Sequence, residues 1–173
     1  MLGRQVPVDR ELIRRLYAYV AFRIGDGPDA EDVVSDTIER ALRYGHSFDT
    51  DKGEPIAWLL GIARRRIATL YSHELDLPLQ ESDGVAAFDA PEHEIVERLT
   101  LQSAVASLPA RDRELVSLHY GADLTASQIA DLLDLRLNAV EVALHRTRGR
   151  LRTLLETEPG WRNGPSEGGE ARL

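Results

Sequence analysis

The sequence predicts an all-α protein of two small helical domains joined by an acidic, flexible linker. Apolar side chains recur three to four residues apart over most of the chain, and nothing in residues 1–71 alternates with period two, so helices are expected and strands are not. Charge divides the chain a second way. Residues 72–93 carry six acids (Glu74, Asp76, Glu81, Asp83, Asp89 and Glu92), two prolines and no lysine or arginine, whereas the flanking segments are nearly balanced. A chain of 173 residues fits one ordinary domain or two very small ones. The seam favours two, over 1–71 and 94–156, with 72–93 as linker and 157–173 as a tail whose glycine and proline content signals disorder.

In the first domain Asp9 is placed to cap a helix whose apolar face is Leu12, Ile13, Leu16, Tyr17, Val20 and Ile24. Gly25-Asp26-Gly27-Pro28 ends it. A second helix is expected to open at Asp29, with Asp32 three residues on as a weak capping box, and to bury Ala30, Val34, Ile38, Ala41 and Leu42. Its other face presents Glu31, Asp32, Ser35, Asp36 and Glu39. After a loop containing Gly45 and Asp49 to Gly53, Pro55 suits the first position of a third helix, which carries Ile56, Leu59, Leu60, Ala63, Ile67 and Leu70. In the second domain helices are expected from about Pro91 to Ser107, Ala110 to Tyr120, Ala126 to Leu133 and Ala139 to Leu155.

Composition removes several function classes. There is no cysteine, which excludes a disulfide scaffold, a cysteine zinc site and a thiol nucleophile. The histidines His46, His73, His93, His119 and His145 form no ligand-spaced pair on one helix, and no glycine-rich phosphate loop or nucleophile elbow is present, so neither enzyme, metal nor cofactor is expected. No apolar run is long enough to span a bilayer and the N-terminal Met-Leu-Gly-Arg-Gln-Val-Pro lacks the core of a signal peptide; a cytoplasmic protein without membrane insertion is expected. The net charge of −8 argues against nonspecific nucleic-acid binding. Between Arg136 and Arg152, however, stand five arginines and a single acid, Glu141, which makes a local positive stripe.

That stripe lies on a short-helix, long-helix pair. Thr125-Ala-Ser-Gln128 is one capping box and Asn138-Ala-Val-Glu141 another, with Leu133 to Leu137 between them at the length of the tight turn in DNA-binding pairs. Ile129, Ala130, Leu133, Leu135, Val140 and Ala143 or Leu144 supply the contacts between the two helices. Asp134 occupies the turn position that wants a left-handed conformation, which Asp tolerates at some cost. Val140, Leu144, Thr147, Leu151 and Leu154 face inward, Glu141, His145, Arg148 and Arg152 outward, with Arg146 and Arg150 at the flanks. Such a helix enters the major groove by its first turns while arginines beside it hold phosphates. The same pair also occurs in ordinary bundles with a solvated arginine face, and a carboxylate such as Glu141 serves either the cap or a cytosine amino group.

With these residues in view, the segments Ala104 to Tyr120, Leu124 to Leu135 and Asn138 to Arg148 together resemble the C-terminal domain of the extracytoplasmic-function (ECF) RNA polymerase sigma factors of the sigma-70 family. Asp29 to Leu42 resembles the family's polymerase-clamp helix and Pro55 to Arg64 its promoter-melting helix. The resemblance covers about residues 10–155, in the family's order. It implies a factor that binds core RNA polymerase and directs promoter-specific initiation. Asp32, Ser35 and Asp36 would meet the clamp coiled coil of the largest subunit, and the C-terminal domain the flap region. Trp58, Arg64, Arg65 and Arg66 would take the minus-10 element, a base stacking on the aromatic while arginines hold the backbone. Trp58 equally suits the core. Arg136, Asn138, Glu141, His145, Arg146 and Arg148 would read the minus-35 element.

The acid-rich linker suits either a mimic of nucleic acid in the polymerase cleft or a plain tether. Tyr71-Ser-His-Glu-Leu-Asp stands where many members have a basic run, which weakens the expected hold of the first domain on duplex DNA. The resemblance also implies an anti-sigma factor as a further partner. The alternative function is a helix-turn-helix regulator that binds an operator as a symmetric dimer without polymerase.

Overall fold

The computed structural model describes residues 8–49, 51, 53–74 and 92–157, which are helical wherever they are regular. Helix α1 spans Arg10–Ile24, α2 Pro28–Tyr44, α3 Pro55–Glu74, α4 Glu92–Ala106, α5 Ala110–Val116, α6 Ala126–Leu133 and α7 Leu137–Thr157. A single 3₁₀ turn, Gly45–Ser47, follows α2, and a π turn, Ser117–Gly121, continues α5. Most of the expected linker, and the tail with Trp161, lie outside the described residues.

Helix α1 starts as its sequence dictates: the Asp9 carboxylate accepts from the backbone N–H of Leu12 at 2.8 Å. It stops at Gly25, whose φ of 91° is open to glycine and costly to other residues. Its buried stripe is rotated from the expected one. Leu12, Leu16, Tyr19 and Val20 are enclosed, while Ile13 is exposed and Tyr17 and Ile24 lie half-buried at the rim. Tyr19 is buried because α1 meets both domains, α2 and α3 on one side and the π turn on the other.

Two expectations for α2 are corrected. The helix opens at Pro28, after a Gly27 cap that makes no side-chain bond, so the Asp29–Asp32 capping box does not form. Proline's fixed φ favours this first position, and the N–H of Glu31 already bonds the Gly27 carbonyl at 3.1 Å. Leu42 is 59% exposed rather than buried, its place in the core taken by Val33 and by Thr37, whose hydroxyl donates to the Val33 carbonyl.

The helix pair α6–α7 forms around Ile129, Ala130, Val140 and Leu144, with Leu133, Leu135 and Ala143 packed against them. The Thr125–Gln128 capping box is complete, at 3.2 and 2.9 Å. The second expected box is absent, because α7 begins at Leu137 rather than Ala139: the Arg136 carbonyl accepts from Ala139 and Val140, leaving Asn138 inside the first turn and exposed. Asp134 takes the left-handed conformation, φ 53° and ψ 49°, and the chain reverses through a bond from the Leu135 N–H to the Ala130 carbonyl at 2.9 Å. Glycine, with no Cβ, adopts that conformation without strain. Asp134→Gly is therefore expected to raise stability by about 1 kcal/mol, and Asp134→Val to lower it by at least as much, in urea denaturation. A destabilising glycine would show that the Asp134 side chain supports the turn.

Candidate polymerase and nucleic-acid interfaces

On α7 the buried residues Val140, Leu144, Thr147 and Leu155 turn the remainder of the helix outward. Asn138, Glu141, His145, Arg146 and Arg148 are exposed, and so is Arg136 in the turn before it. Arg136, Asn138, Val142, Arg146 and Arg150 line one cleft of about 490 Å³, together with Arg111 at the start of α5. Two of these do not follow from sequence alone. Val142, 41% exposed, lies one turn from both Asn138 and Arg146, and Arg111 joins the patch only through packing of α5 on α7. Arg150 is already matched by the Asp112 carboxylate, so among the described residues the unpaired positive charge of the cleft sits on Arg111, Arg136 and Arg146.

The α2 and α3 residues divide into three groups. Asp32 and Ser35 are exposed on the outer face of α2, whereas Asp36 is engaged by Arg40 at 3.0 Å and by Arg66 at 3.3 Å. Arg40, Tyr44, Trp58, Ile62, Arg65 and Arg66 surround a concavity of about 350 Å³ between the two helices. Trp58 is half-buried. It packs on the core, its ring centroid stands 5.5 Å from that of Phe48, and it also edges this concavity, so it serves neither the core alone nor the surface alone. Consecutive helical residues point about 100° apart. The arginine triplet is accordingly split: Arg65 and Arg66 line the concavity, while Arg64 turns to the second domain and meets Glu114 at 2.9 Å.

Trp58 borders a second cleft, of about 600 Å³, formed with Phe48, Glu54 and Ile56 on one side and Leu124, Gln128, Asp131 and Leu132 on the other. The first helix of the helix-turn-helix therefore faces the loop that precedes α3.

Residues 9–74 match Sigma-70 region 2 and residues 98–151 match Sigma-70, region 4. The ECF RNA polymerase sigma factor SigF of Caulobacter vibrioides is 31% identical over 136 residues, covering 76% of this chain and 74% of that protein. SigM of Bacillus subtilis is 26% identical, covering 80% and 87% respectively. Among solved structures, the sigma factor RpoE in complex with the anti-sigma factor NepR from Bartonella quintana superposes with a TM-score of 0.70 at 21% identity, over 86% of this chain and 94% of that one. CnrH in complex with the cytosolic domain of CnrY gives a TM-score of 0.62 at 25% identity, over 86% and 82%. Two Sigma-70 regions in order, with relatives similar over most of both lengths, make this chain a member of the ECF sigma factors of the sigma-70 family.

Proposed function

We propose that the chain works as a sigma factor through two faces, the outer face of α2 for core polymerase and the first turns of α7 for the minus-35 element. As a member of a family of non-enzymatic initiation factors, it directs RNA polymerase to promoters. The observation that carries the assignment of faces is the exposure of Asp32 and Ser35 on α2 and of Asn138, Val142 and Arg146 on α7, each on the side turned away from its own core. In this reading Asn138 and Arg146 donate to base edges or phosphates, Val142 offers an apolar contact to a thymine methyl, and Arg111 and Arg136 hold the backbone. The concavity of Tyr44, Trp58, Arg65 and Arg66 suits an unstacked base of the minus-10 strand, with aromatic faces for the ring and guanidinium groups for the phosphates. Catalysis by the chain itself has no part in the proposal.

Among the described residues no helix is long and apolar enough to cross a membrane, in keeping with work in the cytoplasm beside the polymerase. An anti-sigma factor, such as the NepR bound to RpoE of Bartonella quintana, is a further partner in this reading. Helix-turn-helix regulation without polymerase is the rival, and reconstituted transcription separates the two.

Adding the chain to core polymerase on a library of genomic promoters is expected to give discrete start sites, and Asp32→Lys to abolish them by loss of polymerase binding while the protein stays folded. Transcription indifferent to the wild-type chain would refute the sigma reading; polymerase binding retained by Asp32→Lys would refute the clamp assignment. Reversing Arg146 and Arg148 to glutamate is expected to weaken binding to the minus-35 duplex and to lower the slope of affinity against salt by about 1 for each phosphate no longer neutralised. An unchanged slope would remove both arginines from the DNA backbone.

A further inference from the structure

Where α1 and α4 meet, the packing leaves a recess of about 350 Å³. Its wall is mostly apolar: Ala18, Ala21 and Phe22 come from α1, and Leu101, Val105 and Ala106 from α4. Phe22, Leu101 and Val105 also belong to the smaller apolar cluster of the protein, so part of the wall is core and fixed in shape. An apolar hollow of this size with a few polar groups around it is the usual form of a small-molecule site. At about 30 Å³ for each water-sized group, it has room for on the order of ten.

The polar groups of the wall are of two kinds, those answered within the chain and those left over. The Tyr17 hydroxyl donates to the Asp26 carboxylate; burial, and then that bond, push the phenol up to about 12, so it keeps its proton. Arg23 is paired with Glu114 at 2.8 Å, and the Tyr71 hydroxyl donates to the Arg23 carbonyl at 3.4 Å. Arg113 is different. A terminal nitrogen donates to the carbonyls of Ala106 and Leu108, but no carboxylate pairs with it among the described residues, and its Nε is buried without a hydrogen-bond partner. Gln102 brings an amide to the same wall. A charged donor buried without a partner is costly, and a carboxylate bond to it is among the stronger hydrogen bonds. An unanswered guanidinium on an apolar hollow therefore calls for an anionic head on an apolar body. Because Asp26 also stands in the wall, a single negative charge suits the recess better than the two of a phosphate monoester.

We infer that the recess binds a small apolar monocarboxylate, its hydrocarbon body against Phe22, Leu101 and Val105 and its head on Arg113 and Gln102. A body of roughly eight carbons fills the room available. The recess shares no residue with the outer face of α2, with the concavity beside Trp58 or with the cleft on α7, so the ligand is an input separate from the faces assigned to polymerase and promoter.

Octanoate is the probe, titrated into the full chain by isothermal calorimetry at neutral pH. One molecule per chain is expected to bind with a dissociation constant below about 1 mM. Octanol, which has the same body and no charge, is expected to bind at least about tenfold more weakly. Ala106→Phe fills the recess from its exposed rim and is expected to abolish octanoate binding, while circular dichroism and polymerase-dependent transcript stay as in the wild type. Arg113→Gln keeps a donor for the two carbonyls, removes the charge and is expected to weaken octanoate at least about tenfold. The absence of saturable octanoate binding would overturn the site, whether the recess is filled by a second copy, by another stretch of this chain or by nothing. Equal affinity for octanol, or unchanged octanoate affinity in Arg113→Gln, would overturn the charged head, and binding retained by Ala106→Phe would overturn the location. The titration needs neither DNA nor polymerase, so its failure is distinct from failure of the sigma reading.

Discussion

Helix α1 is enclosed from two directions, and the rest of the structure is arranged around that fact. Leu16, Tyr19 and Val20 form one stripe three and four residues apart and have no exposed surface, because neighbours from both parts of the chain close over it. Helices α2 and α3 cover one flank; the π turn Ser117–Gly121 covers the other. A π turn widens the helix by one residue, seen here in the bond from the Ala122 N–H to the Ser117 carbonyl at 3.0 Å. It ends in Gly121, which seats against the backbone of the first domain. An interface this intimate carries an ion cluster at its centre, since Arg23 and Glu114 are both more than four-fifths buried and each would be costly without the other.

The same arrangement governs which functional groups are presented. On α2 the exposed face is the one opposite α1 and α3, which leaves Asp32 and Ser35 open while Asp36 turns inward to Arg66. On α7 the core of the second domain takes every third or fourth residue, and the leftover face gathers Asn138, Val142 and Arg146. The helical repeat then divides the Arg64-Arg65-Arg66 run: two side chains on the concavity beside Trp58 and one on the wall between domains.

Features with local causes were legible in the sequence. The Asp9 cap, the stop at Gly25, the Thr125–Gln128 capping box and the left-handed Asp134 depend on residues within a turn of one another, and each is found. The apolar pairing of α6 with α7 was legible for the same reason. What escaped depends on partners far along the chain. Glu114 reads as one more acid on an amphipathic helix, because its partners Tyr19 and Arg64 lie 95 and 50 residues away. A stripe centred on Leu12, Leu16 and Val20 admits Tyr17 at one edge or Tyr19 at the other, and only partners far along the chain decide for Tyr19. The Asn138–Glu141 and Asp29–Asp32 boxes fit the motif, but competing local geometry starts each helix earlier, at Leu137 and at Pro28. Of the candidate site, residue types and faces were readable; Val142, Arg111 and Tyr44 joined it only through packing.

The proposed function gives one chain two DNA-facing surfaces, one on α7 and one beside Trp58. Photo-crosslinking tests that claim most directly, with a benzophenone amino acid placed at Val142 or at Tyr44 and the chain bound to core polymerase on a promoter. The predicted result is that Val142 marks duplex DNA and Tyr44 marks a melted strand roughly 25 base pairs downstream, both only when polymerase is present. Crosslinks from both positions to one short stretch of DNA in the absence of polymerase would contradict it.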